Sequence, residues 1–407
     1  MRKRIAIIGG GASGMMAAIT AAGQGAEVTI YEAKDRTGKK LLATGNGKCN
    51  FTNLIQDDSC YRGSNRSFSV AVRQTFTVED TLHFFKSIGI EPKIRNGYVY
   101  PNSEQAASVA DALSMELRTN HVKVLTQQVN SVKGSNGRFV VNASSGQAYF
   151  DSVILCCGSP AGMKNPNEFT GYELAKHFGH RITPLIPALV QLRCEGKWFK
   201  TVSGVRTEGV VTVLENGKQI AQEQGEVLFT DYGLSGIPVF QISRFAGEAL
   251  QRKSNVICKV DVLPGYTLEE LKSLLVNRYK TLTHRTAEEM LIGLQNHKLN
   301  YVVLSELGIN PVENSQKAYC LEDLYRLAAM YKGLHCRVTA SNPFANAQVC
   351  AGGVDTTQID ENTMESKLVK GLYFAGELVD VDGTCGGYNL QWAWSSGYVA
   401  GLHAATE

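Results

Sequence analysis

Apolar residues open the chain in short, dense runs. Arg4-Ile5-Ala6-Ile7-Ile8-Gly9 is a continuous apolar run ending in glycine, the pattern of a strand buried on both faces of a parallel sheet. Ser13 to Gln24 is small and apolar, which predicts a helix able to lie close on that sheet. Glu27 to Glu32 predicts a second strand, completing a strand–helix–strand unit. Val78 to Ile88 and Glu104 to Thr119 carry apolar residues at three- and four-residue spacing and predict amphipathic helices. Val122 to Val132, Arg138 to Asn142 and Gln147 to Phe150 predict a small meander, turning at Ser135-Asn136-Gly137 and Ser144-Ser145-Gly146. Ser152 to Gly158 is another buried strand ending in glycine.

Near Pro184 and Pro187 the pattern changes. From there to Leu263 it predicts strands and turns: Leu189 to Leu192, Val210 to Leu214, Glu226 to Phe229 and Val256 to Val262. Thr267 to Lys332 is mostly helical, with a break at Gly308 to Pro311. Gly371 to Gly376 is again a strand running into glycine, and Asn389 to Ala404 a closing helix. The expected fold is α/β: a Rossmann-like nucleotide-binding domain with a parallel sheet, an inserted β-rich domain and an inserted helical domain. The expected boundaries are 1–184 for the first part of the binding domain, 185–264 for the β-rich insert and 265–335 for the helical insert. Residues 336–350 then give a return strand of the β-rich insert, and 351–407 the second part of the binding domain.

Gly9-Gly10-Gly11-Ala12-Ser13-Gly14 matches G-x-G-x-x-G, a weak signal alone. Here it leaves a strand, opens a helix, and precedes a strand ending in Glu32, 18 residues past Gly14, which makes it strong. Gly9 permits the tight turn, Gly11 lets a pyrophosphate approach the backbone, and Gly14 lets the helix pack on the strand. The helix N-terminus offers N–H groups and a positive dipole end to phosphates. Glu32 suits ribose hydroxyls and disfavours a 2′-phosphate, hence NADP, in this site. FAD is favoured over NAD because the chain carries one good fingerprint and a second strand–glycine–carboxylate unit at Gly376-Glu377. The glycine-rich loop Asp382 to Gln391 then feeds a helix whose N-terminus can face the flavin pyrimidine edge.

Composition sharpens this picture by exclusion. The 407 residues are 43% hydrophobic and 19% charged, enough apolar material for a sizeable core. A net charge of +3 gives no electrostatic case for nucleic acid or an anionic membrane. No apolar run spans a membrane, and the strand at Arg4 leaves no room for a leader. The ten cysteines form no C-x-x-C pair and no zinc spacing, so reduced thiols in a cytoplasmic protein without a metal are expected.

Gly38-Lys39-Lys40-Leu41-Leu42-Ala43-Thr44-Gly45-Asn46-Gly47-Lys48-Cys49-Asn50-Phe51-Thr52-Asn53, with Ile8 to Ala18, Leu228 to Arg244 and Ala351 to Gly401, resembles the bacterial flavoproteins that include 3-dehydro-bile acid Δ4,6-reductases and aminoacetone oxidases. The resemblance spans essentially the whole chain. It implies non-covalent FAD and redox chemistry on a small organic molecule. Lys39, Lys40 and Lys48 add positive charge to this loop, and Asn46, Asn50 and Thr52 add hydrogen-bonding groups, which suits a diphosphate and the isoalloxazine edge. Motif and resemblance together place cofactor contacts at Gly9, Gly11, Ala12, Ser13, Gly14, Glu32, Ala33, Lys40, Leu41, Thr44, Gly45, Asn46, Gly47, Asn50, Val129, Gly158, Gly376, Glu377, Gly387, Tyr388, Asn389 and Leu390. One departure stands out: the family often carries His at the position of Asp231.

Saturating a conjugated C=C takes a hydride from flavin N5 and a proton from a side chain or water. The expected donors are Tyr388, Tyr232 and Cys385, with Tyr100 a further candidate. The first reading is therefore an NAD(P)H-dependent reductase of an enone-like, steroid or bile-acid substrate, with NAD(P)H docking transiently. A second is an FAD-dependent oxidase of a small amine. A third is a non-catalytic flavin redox sensor or RNA-associated protein. Oligomeric state is not legible.

Overall fold

The run Arg4–Ile8 holds nothing charged after its first residue, and it becomes the centre of a sheet with both faces covered. In the computed structural model, which describes residues 2–406, Ile8 lies opposite Tyr31 on one side and Leu155 on the other, both strands parallel. The sheet has five strands in the order Leu372–Phe374, Ser152–Leu155, Arg4–Ile8, Glu27–Glu32, Lys123–Thr126. Every pairing is parallel. Ile5, Ile7, Val153 and Ile154 are fully buried, each contributing about 1.5–3 kcal/mol. This is the Rossmann-like α/β arrangement expected from the pattern.

Two helices from opposite ends of the sequence cover one another. They are Ala12–Gly23 and the closing helix Tyr388–Thr406. Their contact face is small: a methyl at Gly397 would stand 2.4 Å from the Ser13 carbonyl oxygen, and one at Gly401 2.4 Å from that of Ala17. Only residues without a Cβ permit this approach.

The chain divides into two units. The first runs to Leu185 and resumes at Val349; the second is Ile186–Gln348. Within the second, six strands close a barrel: Leu192–Cys194, Gly233–Ser235, Lys218–Thr230, Arg206–Glu215, Val256–Asp261 and Leu334–Ser341. Closure is made by Leu334–Ser341 pairing with Leu192–Cys194, and its alternation places Leu334, Cys336 and Val338 inside. Helices Leu268–Thr281, His297–Glu306 and Leu321–Tyr331 share this unit's core. The first begins at a capping box of Thr267 and Glu270.

Four local readings differ from the observed elements. The run Leu189 to Leu192 is no single strand: Leu189 takes φ of 50° and parts the strand Ile186–Ala188 from Leu192–Cys194. The segment Val122 to Val132 is two strands. Lys123–Thr126 joins the parallel sheet, and Val129–Ser135 starts the meander. The runs at Val210 and Glu226 belong to strands of 10 and 13 residues, joined at Asn216-Gly217, both left-handed as a tight hairpin requires. Among the strands lies a 15-residue helix, Ile237–Gln251, entered through Gly236 and a proline in its first turn.

Candidate functional site

The glycine fingerprint sits where the central strand hands over to the first helix. Gly11 is the helix N-cap, with no side chain capping it and no acidic residue in the first turn. The first N–H groups and the positive helix end therefore have no competing anion from the helix itself. A methyl built on Gly11 would meet nothing within 4 Å, so the backbone there faces open space. At Gly14 the opposite holds: a methyl would stand 1.9 Å from the Gly9 carbonyl oxygen. One glycine is required by packing and the other by nothing in the protein, which fits a site shaped for the diphosphate of a dinucleotide.

Around this turn the structure gathers segments far apart in sequence. Glu32 Oε2 accepts from the Gly10 N–H at 2.7 Å and Oε1 from the Lys34 N–H at 2.7 Å, which fixes the carboxylate beside the fingerprint and the exposed Ala33. Glu32 pairs with Thr126, three residues before the buried Val129. Gly158 follows the neighbouring strand, and a methyl there also meets nothing within 4 Å. Gly376 lies against the fingerprint helix, where a methyl would approach Ser13 Oγ to 2.3 Å. Its N–H donates to Ser396 Oγ at 2.9 Å, and its carbonyl accepts from Trp392 Nε1 at 3.0 Å.

The loop from Lys40 to Asn53 joins the same centre. Lys40 Nζ donates to Glu377 Oε2 at 2.7 Å, while Glu377 Oε1 accepts from the Cys350 N–H. Leu41 is buried and Thr44 Oγ donates to the Leu41 carbonyl. Gly45, Asn46 and Gly47 are exposed and take φ of 55, 54 and 83°. Asn50 Oδ1 accepts from the Val99 N–H. The lysines are not free charges: Lys39 pairs with Asp35, Lys40 with Glu377, and Lys48 with Glu104. Cys49 is fully buried, and burial pushes its thiol up to about 12, so it is no thiolate near neutral pH.

The glycine-rich loop before the closing helix packs on this second loop. A methyl at Gly387 would stand 2.6 Å from the Thr52 carbonyl oxygen and 3.0 Å from Asn50 Oδ1. Asn389 ties the loop together, accepting from the Gly383 N–H and donating to the Gly383 carbonyl, both at 2.8 Å. Thr52 Oγ donates to Gln391 Oε1 at 2.6 Å, and Leu390 packs on the core. Tyr388 is buried edge-on to Tyr61, and burial raises its hydroxyl above the usual tyrosine range. Cys385 is partly exposed on the same loop. Tyr100 flanks Gly45. Tyr232 belongs to the other unit, where its hydroxyl accepts from Asn342 Nδ2 at 3.1 Å and Arg193 lies over its ring. Asp231 beside it is exposed.

All the expected cofactor positions thus fall in the first unit. Trp392 and Ser396, which hold Gly376, were not legible as part of this centre. Their only sequence signal is membership of the closing helix.

Comparison with known proteins follows the same lines. The model of the HI0933-like protein Rossmann domain matches residues 3–403. The chain is 43% identical to a 3-dehydro-bile acid delta(4,6)-reductase of Clostridium scindens, over 99% of both chains. It is 30% identical to a ribosomal RNA dihydrouridine synthase of Haemophilus influenzae, over 98% of both. A second protein of that name, from Escherichia coli, is 29% identical over 96% of this chain and 95% of its own.

Proposed function

The chain belongs to the HI0933-like family and is an FAD-dependent oxidoreductase, and from that premise we propose a reductase that saturates a C=C conjugated to a ketone in a steroid or bile-acid substrate, with NAD(P)H as electron donor. The observation that supports it most is the meeting of three remote segments at one turn. Glu32 is anchored on Gly10, Gly376 lies on Ser13, and Glu377 is bridged to Lys40.

In this reading the N–H groups of Gly11, Ala12 and Ser13 take the diphosphate, and Glu32 takes the ribose. The Lys40–Glu377 pair holds the sugar-alcohol chain. The loop Thr44 to Asn50 and the start of the closing helix at Gly387 to Leu390 line the ring edge. Bound flavin supplies a hydride from its N5. The protein's share is orientation, exclusion of water and delivery of one proton. We assign delivery to Tyr388, whose place heads the closing helix beside Gly387 and whose hydroxyl, like any tyrosine's, is protonated near neutral pH. Tyr232 and Cys385 are the other donors to test.

The names of the relatives share a chemistry, since both describe saturation of a C=C conjugated to a carbonyl. A second reading, reduction of a pyrimidine in ribosomal RNA, has the 30% and 29% relatives behind it. The 43% relative and a net charge of only +3 favour the small molecule. The test is anaerobic: NADH or NADPH bleaches the yellow protein, and a 3-oxo-Δ4 bile acid restores the colour. Bleaching by a small amine alone, or recovery with ribosomal RNA alone, refutes the proposal.

A further inference from the structure

At the edge of the centre just described, one carboxylate gathers three cations. Glu104 lies 3.2 Å from Lys48 Nζ, 2.6 Å from Lys93 Nζ and 2.5 Å from Arg95 Nη2. These cations hold its carboxyl down to about 2. Glu104 also takes φ of 52°, a conformation that costs a non-glycine residue about 1–2 kcal/mol. The group borders a pocket of about 170 Å³ lined by Lys48, Arg95, Tyr98, Tyr100 and Glu104. On the lining of this pocket, Lys48 and Arg95 against the one carboxylate leave an excess of one positive charge, and Lys93, paired with the same carboxylate, adds a second outside the lining.

The strand Tyr98–Pro101 pairs with Thr52–Asn53, which fixes where this pocket sits. A methyl at Gly45 would stand 3.7 Å from Tyr100 Cε1, and one at Gly386 3.0 Å from Tyr98 Cε1. The pocket's aromatic walls therefore touch both glycine loops that the proposed function gives to the flavin. Arg95 spends one edge of its fork on Glu104 and keeps donors for a second acceptor.

We propose that this pocket is an anion subsite beside the flavin, taking a phosphate or carboxylate carried by one of the two reactants. The adjacency to flavin rests on the proposed function; the anion site does not. Glu104 keeps three like charges in one place until the ligand's own anion joins them. Two sources share this chemistry: the phosphates of the nicotinamide donor, and the side-chain carboxylate of an acid substrate.

The first test uses inorganic pyrophosphate, titrated calorimetrically into the FAD-loaded protein at low ionic strength. Wild type binds saturably and loses affinity with salt. Arg95→Gln weakens binding about tenfold, the loss of one charge-assisted hydrogen bond, with the flavin spectrum unchanged. Lys93→Gln gives the same direction should Arg95→Gln fold poorly. No saturable binding, or equal affinity in both variants, overturns the proposal. The second test separates the sources. A raised KM for NADH or NADPH alone identifies the donor's phosphates. A raised KM for a 3-oxo-Δ4 bile acid, with that of its methyl ester unmoved, identifies the carboxylate. If no KM moves in a variant that has lost pyrophosphate, the subsite is refuted. Should the protein reduce no enone at all, the proposed function fails while the titration still decides the pocket.

Discussion

Two glycines three residues apart should answer an added methyl in opposite ways. Gly11 has extended backbone, φ −77° and ψ −166°, which alanine also adopts, and its methyl meets nothing. Alanine is a poorer N-cap than glycine by about 0.5–1 kcal/mol, but it restricts the unfolded chain, worth about 0.4–1 kcal/mol. The two effects nearly cancel, so apo Gly11→Ala should be as stable as apo wild type within about 0.5 kcal/mol. In Gly14→Ala the methyl stands 1.9 Å from the Gly9 carbonyl oxygen, with Cys156 Cβ behind it at 3.3 Å. The obstacle is backbone, so the cost is near the upper end of overpacking, about 3 kcal/mol. Helix propensity returns about 1 kcal/mol, leaving about 2 kcal/mol and a Tm lowered by roughly 4–8 °C. FAD reverses the ranking of Gly11→Ala. At a hundredfold excess over Kd, FAD stabilises wild type by about 2.7 kcal/mol, and the methyl in the open space should abolish that gain. Thermal melts with and without FAD read both effects. A Gly11→Ala protein that takes up FAD as tightly as wild type, or a Gly14→Ala protein of undiminished stability, refutes the reasoning.

Further outcomes follow from single contacts. Trp392→Phe removes the buried N–H bond to the Gly376 carbonyl and should cost about 1–3 kcal/mol in urea unfolding. Glu104 has a carboxyl lowered to about 2, against about 4.3 unfolded, so its contribution is complete above the unfolded value and disappears as pH falls through about 2. An NMR titration placing its midpoint near 4 contradicts the three-cation contact. At about pH 8 roughly one Cys49 thiol in 10⁴ is ionised, so iodoacetamide should label the exposed Cys320 first and Cys49 only after unfolding. Equal labelling of the two in the folded protein contradicts the burial. Tyr388→Phe should leave reduction by NAD(P)H intact and lower turnover of the enone by about 10²–10⁴-fold, seen by stopped-flow separation of the half-reactions.

The sequence by itself determined whatever depends on neighbours along the chain. A continuous apolar run, three glycines at fixed spacing and a carboxylate 18 residues on make a strand–turn–helix–strand unit from local geometry alone. The closing helix was legible for the same reason, while the loop Gly38 to Asn53 stood out through its resemblance to a known family. Where local signals compete, the reading failed: Ile237–Gln251 buries Val239, Ile242, Ala246 and Ala249 at helical spacing, yet it lies among strands. The Gly236 and Pro238 before that stripe were the available clue. Only the tertiary structure decided the pairings between residues far apart. Lys40 meets Glu377 across 337 positions, Thr52 meets Gln391 across 339, and Leu334–Ser341 closes the barrel on Leu192–Cys194. That all three loop lysines are paired was decided there too: Lys48, which in sequence adds positive charge suited to a diphosphate, pairs with Glu104 in space. Charge and hydrogen-bond partners are set by distance through space, and no spacing along the chain encodes that distance once the backbone has turned back on itself.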